Sequence, residues 1–411
     1  IYNPVDLSGN QPPEVAAGAD GLCGTADDNF FLFGADGLCR TTSDNKVSKV
    51  GAACSRGADL VIVETSVGGG SSLGVVRVRV NDRAGGMRSR TSLQLSTGPA
   101  HALLADFNGD RRPDMLISNS GADALLLFPG LADGEFGTAQ VITTGDGPEG
   151  MAAGDFDADG DADLAVANRS AGTIGLYLNG GTALPSTASA TLTTRPGPTS
   201  LLAAPLKSGD TCAALVALDQ GLPACSLGTN DGLFCRIDAD CPGGGTCSSA
   251  AADVGMIEVF TNPACVTGGA LGLTPTTTIP LGAGHRPRGG VFADLDGDLN
   301  TDLAVADFTG GQVLVYAGDG TGVFSPRTPL GGLSSPSALA LLNYDPDTGS
   351  VPDLAVLSYV DNRVDLFHND SLPGTLTFSA APTNPASPWK NIVAMSIFPA
   401  DASVGQDLVM L

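Results

Sequence analysis

The feature that most constrains this chain is a long internal repeat. Segments opening on proline recur: PAHALLADFNGDRRPDMLISNSGADALLLFPG from Pro99, PEGMAAGDFDADGDADLAVANRSAGTIGLYLNG from Pro148, PRGGVFADLDGDLNTDLAVADFTGGQVLVYAGD from Pro287 and PSALALLNYDPDTGSVPDLAVLSYVDNRVDLFHND from Pro336. The spacing is 49 residues from Pro99 to Pro148, 50 from Pro148 to Pro198 and 49 from Pro287 to Pro336. Each unit reads as a short strand, an acidic loop, a buried strand such as Leu164–Ala167 or Leu303–Ala306, a turn, an amphipathic strand such as Thr173–Leu178 or Gln312–Tyr316, and a looser Thr-rich strand. Such a unit cannot bury its apolar face alone, so neighbours must stack. Four short strands in a unit of this length suit radial blades packed face to face; the coils of a β-helix, the rival repeat, are much shorter. The expected fold is all-β, a seven-bladed β-propeller of four-stranded antiparallel blades.

The blades are expected at about 13–98, 99–147, 148–197, 198–286, 287–335, 336–387 and 388–411, forming one domain over 1–411. Two of them are long because they hold Cys-rich loop insertions, at about 20–57 and about 219–253. The last unit, from Pro388, offers two strands and then stops, so residues 1–12 are expected to complete it. Pairing of those terminal strands within one chain closes a ring. The same pairing between chains builds a homo-oligomer or polymer.

The loops DFNGDRRPD, DFDADGDAD and DLDGDLNTD, each followed by an apolar strand, resemble the VCBS and FG-GAP repeats that also build the propeller of integrin α-subunits. The resemblance covers nearly the whole chain from Pro13 onward. It implies a calcium-binding propeller and leaves function open, since one fold hosts many functions.

The loops carry their own chemistry. In Asp155-Phe156-Asp157-Ala158-Asp159-Gly160-Asp161-Ala162-Asp163, carboxylates stand at loop positions 1, 3, 5 and 9, and position 7 can give its backbone carbonyl. Like charges so close repel unless a cation sits among them. Calcium takes about six to eight oxygens, which an alternating acidic loop can wrap around one point. It is no EF-hand, because position 12 is Val166 and the flanks read as strands. The template fits again at Asp106, Asn108, Asp110, Arg112 and Asp114, and at Asp294, Asp296, Asp298, Asn300 and Asp302, giving three calcium loops. Asn343, Asp345, Asp347 and Asp353 form a stretched fourth candidate. The rival reading is an Asx-rich turn without metal. In the unit at Pro198, Lys207 and Gly209 stand where ligands belong, so no site is expected there; in the last unit Asp401 and Asp407 remain, but Pro399 and Ser403 weaken the match. In the first insertion, GADGLCGTADDN recurs as GADGLCRTTSDN, and Asp20, Asp27, Asp28, Asp36 and Asp44 are further calcium candidates beside a plain disulfide-stapled reading.

Charge and cysteines bound the setting. The net charge is −24 with 20 Lys+Arg, which argues against nucleic acid and anionic membranes as partners. No apolar run reaches the roughly 18 residues of a membrane span, so no membrane insertion is expected. The chain starts at Ile1 rather than Met, which reads as a processed or trimmed form. The nine cysteines avoid the regular strands and show no Cys-x-x-Cys pair, so disulfides in an oxidising, extracellular compartment are favoured over zinc. Nine is odd, leaving one thiol free or paired outside the chain. His101, His285 and His368 lie in different units, and no Gly-x-Ser-x-Gly, His-Glu-x-x-His or phosphate loop appears. The chain is therefore expected not to be an enzyme. A calcium-dependent polysaccharide lyase is the minor alternative, with Arg286 and Arg288 as the nearest thing to a basic patch. The favoured role is a secreted structural or adhesive module, such as a subunit of a filament or surface assembly, with a lectin-like binder of a surface protein or glycan as the alternative.

Overall fold

The computed structural model describes residues 99–342 and 351–380, save 111, 132–134, 195–196, 222–223, 227–245, 249–253, 263–271 and 362, together with strands at Val15–Ala16, Asn29–Phe30, Leu38–Cys39, Leu60–Thr65, Gly74–Asn81, Met87–Leu95, Met395–Phe398 and Asp407–Met410. The described elements are all strands, and every described pairing is antiparallel.

Five sheets have four strands in simple up-and-down order. Sheet II holds Pro99–Ala105, Asp114–Asn119, Ala124–Phe128 and Gln140–Thr143. Sheet III holds Pro148–Gly154, Asp163–Asn168, Thr173–Tyr177 and Ala190–Thr193. Sheet IV holds Pro198–Ala204, Ala214–Asp219, Val254–Thr261 and Thr274–Ala283. Sheet V holds Pro287–Ala293, Asp302–Asp307, Gln312–Gly318 and Phe324–Pro326. Sheet VI holds Pro336–Leu342, Asp353–Ser358, Arg363–Asn369 and Phe378–Ala380. Before them, sheet I joins Leu60–Thr65, Gly74–Asn81 and Met87–Leu95; after them, Met395–Phe398 and Asp407–Met410 form a hairpin.

The second strand of each of sheets II to VI is buried at all six positions, which is why it reads as a largely apolar run rather than an alternation. The fourth strand is largely exposed, as in Gln140–Thr143 and Ala190–Thr193, and tolerates threonine. Cores lie between consecutive sheets. Val76 and Val78 of sheet I pack with Leu104, Met115 and Ile117 of sheet II. Leu116 and Leu125 of sheet II meet Met151, Leu164 and Tyr177 of sheet III. Ala165 and Ile174 meet Leu201, Leu215 and Phe260. Val216 and Ile257 meet Leu303 and Val305, and Val313 and Val315 meet Leu354 and Val356. Face-to-face packing of successive meanders is the architecture of a β-propeller.

Every first strand of sheets II to VI shifts register just after its opening proline, at Pro99/His101, Pro148/Met151, Pro198/Ser200, Pro287/Gly290 and Pro336/Ala338. The second insertion leaves between strands 2 and 3 of sheet IV and contains a small hairpin, Ala224–Ser226 with Thr246–Ser248. Val15–Ala16, ahead of the first insertion, pairs with Asn29–Phe30 and Leu38–Cys39 inside it. Residues 1–12, 343–350 and 388–394 lie outside the described residues, and with them the strand pairing expected of the terminus and the side chains of Asn343, Asp345 and Asp347.

Candidate metal-binding loops

Each acidic loop joins strands 1 and 2 of its sheet. In all three described copies, the residue at position 2 plugs the loop into the next inter-sheet core: Phe107, Phe156 and Leu295 are each fully buried. Alternate residues then point the other way, which places the position 1, 3 and 5 side chains together. Carboxylate oxygens of Asp155, Asp157 and Asp159 lie within 4.8 Å of one another, and so do those of Asp294, Asp296 and Asp298. The first loop in the chain has Asn108 at position 3 between Asp106 and Asp110.

The carboxylates also shape the backbone. Asp155 Oδ1 accepts from the Ala158 amide and its Oδ2 from Gly160 at 3.0 Å, while Asp294 Oδ1 accepts from Gly297 at 2.7 Å and its Oδ2 from Leu299 at 3.0 Å. Asp157 Oδ1 accepts from Asp159, Asp159 Oδ1 from Asp161, Asp296 Oδ1 from Asp298, and Asp298 Oδ1 from Asn300. In the first loop Asp106 Oδ1 takes the amides of Asn108 and Gly109, and Asn108 Oδ1 takes that of Asp110. These tight turns force a left-handed backbone at position 4, where Gly109 and Gly297 stand but where Ala158 is held at φ 64°. Leu299 is held likewise at φ 71°. A side chain there crowds its own backbone.

Position 9 does something the sequence reading did not anticipate. Asp163 is fully buried; its Oδ2 accepts from the Phe156 amide at 2.7 Å and its Oδ1 from Asn179 at 2.8 Å. Asp114 does the same for Phe107 and Gly130, and Asp302 for Leu295 and Gly318. Asp353, the one described member of the stretched loop, accepts from the Asn369 amide at 2.8 Å and faces His368 Nδ1 at 3.2 Å. Burial pushes Asp163 up to about 7, and Asp114 and Asp302 up to about 6, against the pull of those amide donors. At position 3, burial and then the neighbouring Asp159 raise Asp157, and burial and then Asp298 raise Asp296.

Position 7 is varied. Arg112 lies 4.0 Å from Asp110, the Asn300 amide donates to Asp298 Oδ2 at 3.0 Å, and the Asp161 carboxylate sits against Gly181, where any β-carbon would strike it. The loop at Pro205–Ala213 lacks carboxylates at positions 1, 3 and 5 and docks instead on its neighbour: Ser208 donates to Leu299 O at 2.8 Å, and Lys207 bridges to Asn300.

A second set of side chains went unread in the sequence. Asn179, at the exit of strand 3 in sheet III, donates from Nδ2 to Phe107 O in the loop of sheet II at 3.0 Å. Asn262 does so to Phe156 O at 3.0 Å, and Asn369 to Leu295 O at 2.8 Å. In each case the next blade caps the position 2 carbonyl of the acidic loop. The only sequence sign is an asparagine closing strand 3, in LYLNG, VFTN and LFHND.

An all-oxygen cluster on the loops of a propeller defines a class: a β-propeller built of acidic-loop repeats. Residues 106–166 match the FG-GAP-like repeat, so the chain carries that repeat in sheets II and III. None of the curated proteins matches the sequence. Among solved structures the chain is similar to the periplasmic gluconolactonase PpgL of Pseudomonas aeruginosa, with 14% identity, TM-score 0.54, and coverage of 97% of this chain and 99% of that one. It is similar to a putative 6-phosphogluconolactonase of Bacteroides uniformis, with 13% identity, TM-score 0.53, and coverage of 80% and 82%. It is also similar to a Lactobacillus plantarum protein, with 14% identity, TM-score 0.51, and coverage of 80% and 83%. At such identity the likeness shows the fold.

One expectation is corrected by these comparisons. The chain was expected not to be an enzyme because it lacks contiguous catalytic motifs. Two of the folds it resembles are named as lactonases, so that exclusion does not stand. The physical reason is that a propeller gathers side chains from separate blades, and such a site leaves no local motif. Among the described residues no helix is long and apolar enough to cross a membrane.

Proposed function

We propose that this chain is an exported β-propeller of seven blades whose acidic loops hold calcium, and that it serves as a structural or adhesive module presenting a ring face to a surface protein or glycan. The observation that carries the metal is Asp296. Its Oδ2 is buried and makes no hydrogen bond of ordinary geometry, the Gly374 backbone amide being the one donor from outside the loop that acts on this carboxylate, and it belongs to a cluster whose oxygens lie within 4.8 Å of one another. An unpartnered buried carboxylate oxygen among like charges is costly unless a cation meets it. The donors are all oxygen, which suits a hard cation, and their number favours calcium over magnesium, which keeps more of its waters. Asp294, Asp296 and Asp298, and Asp155, Asp157 and Asp159, would hold it, with Asp106, Asn108 and Asp110 as a third set. Bound calcium supplies positive charge and fixes the turn between two buried strands. In the fourth loop Asn343, Asp345 and Asp347 would act with Asp353.

Support for an oxidising compartment comes from the disulfide at Cys212 and from Cys225 and Cys247, which face each other in register on the insertion hairpin. The reading does not depend on whether the ring also turns over a substrate. Native mass spectrometry in calcium tests the metal: two or three bound ions support it, and a metal-free mass at millimolar calcium overturns it. Negative-stain microscopy of native material tests the role. Fibres or ordered arrays support a structural subunit, and dispersed single rings overturn that part.

A further inference from the structure

The strand 1–2 loop of sheet IV, Pro205–Ala213, holds a single carboxylate, Asp210, where its neighbours in sheets III and V hold clusters. It also holds Cys212, which is buried and disulfide-bonded. The repeat itself points to the other half of that bond. Strand 2 opens at Asp163 in sheet III, Ala214 in sheet IV and Asp302 in sheet V, each paired with the last residue of strand 1. Counting two residues back puts Cys212 at the place of Asp161 and Asn300.

Both of those side chains turn toward the connection between strands 3 and 4 of their own sheet. The Asp161 carboxyl carbon is 3.0 Å from where a β-carbon on Gly181 would stand, and the Asn300 amide carbon is 3.3 Å from one on Gly320. A disulfide sets its β-carbons about 3.5–4.5 Å apart, which requires an approach as close as these. Gly181 and Gly320 each lie two residues past the position that closes strand 3, Asn179 and Gly318, whose amides donate to Asp163 and Asp302. Register places Asn262 at that position in sheet IV, since Leu164 pairs with Tyr177 and Leu215 with Phe260. The same count then gives residue 264, with Cys265 next.

Hydrogen bonds across the seam draw the two segments together. The Ala213 amide donates to Asp155 O at 2.7 Å, and Asn262 Nδ2 donates to Phe156 O at 3.0 Å, so both segments adjoin one short stretch of sheet III. Three residues span at most about 10 Å, which keeps Cys265 within reach of Asn262. Cys265 lies outside the described residues, and its place rests on this count. The other cysteines stand elsewhere. The second insertion leaves from the far end of strand 2, and Ala214–Asp219 spans about 20 Å. On that insertion Cys225 faces Cys247 in register. Cys23, Cys39 and Cys54 belong to the first unit, whose sheet packs on sheet II.

We propose that Cys212 is bonded to Cys265, and that this disulfide fixes the strand 1–2 loop of sheet IV. In the sibling loops, aspartates at positions 1, 3 and 5 hold the turn through backbone amides; here Lys207 and Gly209 supply no carboxylate, and a covalent tie to the strand 3–4 connection stands in. Forming the bond takes two protons and two electrons from the two thiols. An external disulfide accepts them by exchange: one thiolate attacks it, a mixed disulfide forms, and the second thiolate displaces the carrier, which leaves as a dithiol. The proposal uses no calcium and stands apart from the calcium reading.

The test is peptide mapping of the full native chain, digested by pepsin at acid pH without reductant so that disulfides do not exchange. A linked pair of peptides containing Cys212 and Cys265 is expected, and reduction should split it into its two halves. Cys212 linked to any other cysteine, or recovered as a free thiol, overturns the pairing. The role is read by amide exchange of a Cys212→Ala, Cys265→Ala double variant in calcium. The Ala213 amide should exchange at least tenfold faster than in wild type, while the Phe107 amide, held by Asp114 in sheet II, should stay within twofold. An unchanged Ala213 rate shows that the bond fixes nothing in this loop and overturns its role; equal acceleration at Phe107 shows a general loosening and overturns it as well.

Discussion

Asn179 is the sharpest place to test how the blades are joined. It is 2% exposed. Its Nδ2 donates to Phe107 O in the previous loop at 3.0 Å and to Ala162 O at 3.1 Å, while its Oδ1 accepts from Gly181 at 3.1 Å. Asn179→Ala removes all three bonds and leaves buried groups behind. Each bond is worth about 1 kcal/mol net, and a stranded buried group costs about 1–3 kcal/mol, so the loss should be about 3 kcal/mol. Asn179→Asp should be at least as harmful, because it turns a carboxylate oxygen toward two carbonyls. Asn369→Ala should cost a similar amount, since that side chain repeats the pattern with Leu295, Pro352 and Ser371. The assay is equilibrium urea unfolding with the metal removed by EGTA, so that no ion contributes. If Asn179→Ala and Asn369→Ala both lie within 0.5 kcal/mol of wild type (about the scatter of neutral surface changes), the inter-blade cap is not a stabilising contact and the reasoning is wrong.

Further outcomes follow from the loops. Calcium should raise the melting midpoint over EGTA, since an ion binding only the folded chain adds about 2.7 kcal/mol per site at a hundredfold excess over Kd; equal midpoints with no bound metal would remove the calcium assignment. Asp157→Ala should change stability little in EGTA and abolish part of the calcium increment, as read by paired melting curves. Ala158→Gly should stabilise the metal-free chain by about 1 kcal/mol by relieving the left-handed strain at φ 64°, measured by urea unfolding. For pH, burial holds Asp163 at about 7 and Asp114 and Asp302 at about 6, above the ordinary value of 3.8, so the metal-free fold binds these protons more tightly than the unfolded chain. Its stability should therefore fall as pH rises from about 4 to 7, while calcium affinity rises over the same window, and titrations at three pH values in that window will show whether the two slopes oppose. Alkylation without reductant should label few of the nine cysteines by intact mass.

The repeat was legible because its second strand is buried on both faces, so Leu164–Ala167 and Leu303–Ala306 appear as unbroken apolar runs at constant distance from a proline. The convergence of Asp155, Asp157 and Asp159 was legible for a related reason: alternate residues of an extended turn share a side, and Phe156 takes the other. Asp163 looked like one more ligand in the same alternation. Its two oxygens also take buried amides, one of them sixteen positions away at Asn179, and spacing within the loop carries no trace of that partner. Asn179, Asn262 and Asn369 were illegible for the same reason at longer range. Each reads as a turn residue in its own unit, and its partner carbonyl belongs to the unit before.

The loop of sheet IV separates what the carboxylates do from what the cap does. It has Lys207 and Gly209 where its siblings have aspartate or, at Asn108, asparagine, and the next blade has Gly318 where others have the capping asparagine. A side chain at Gly318 would strike Thr301 O, so an asparagine cannot reach across there. Yet the position 2 carbonyl, Leu206 O, is still capped from sheet V: the Thr301 amide donates to it at 2.7 Å, and the Thr301 hydroxyl donates to Pro205 O at 2.5 Å. All four junctions between sheets II and VI therefore close the same carbonyl, three with an asparagine and one with backbone. A carbonyl held at a buried inter-sheet seam needs a partner whether or not an ion is near. The three aspartates at positions 1, 3 and 5 face away from that seam and serve no part of it. The ring is thus joined by one set of bonds and its turns are charged by another, which is why removing the ion should loosen the acidic loops while the blades stay packed.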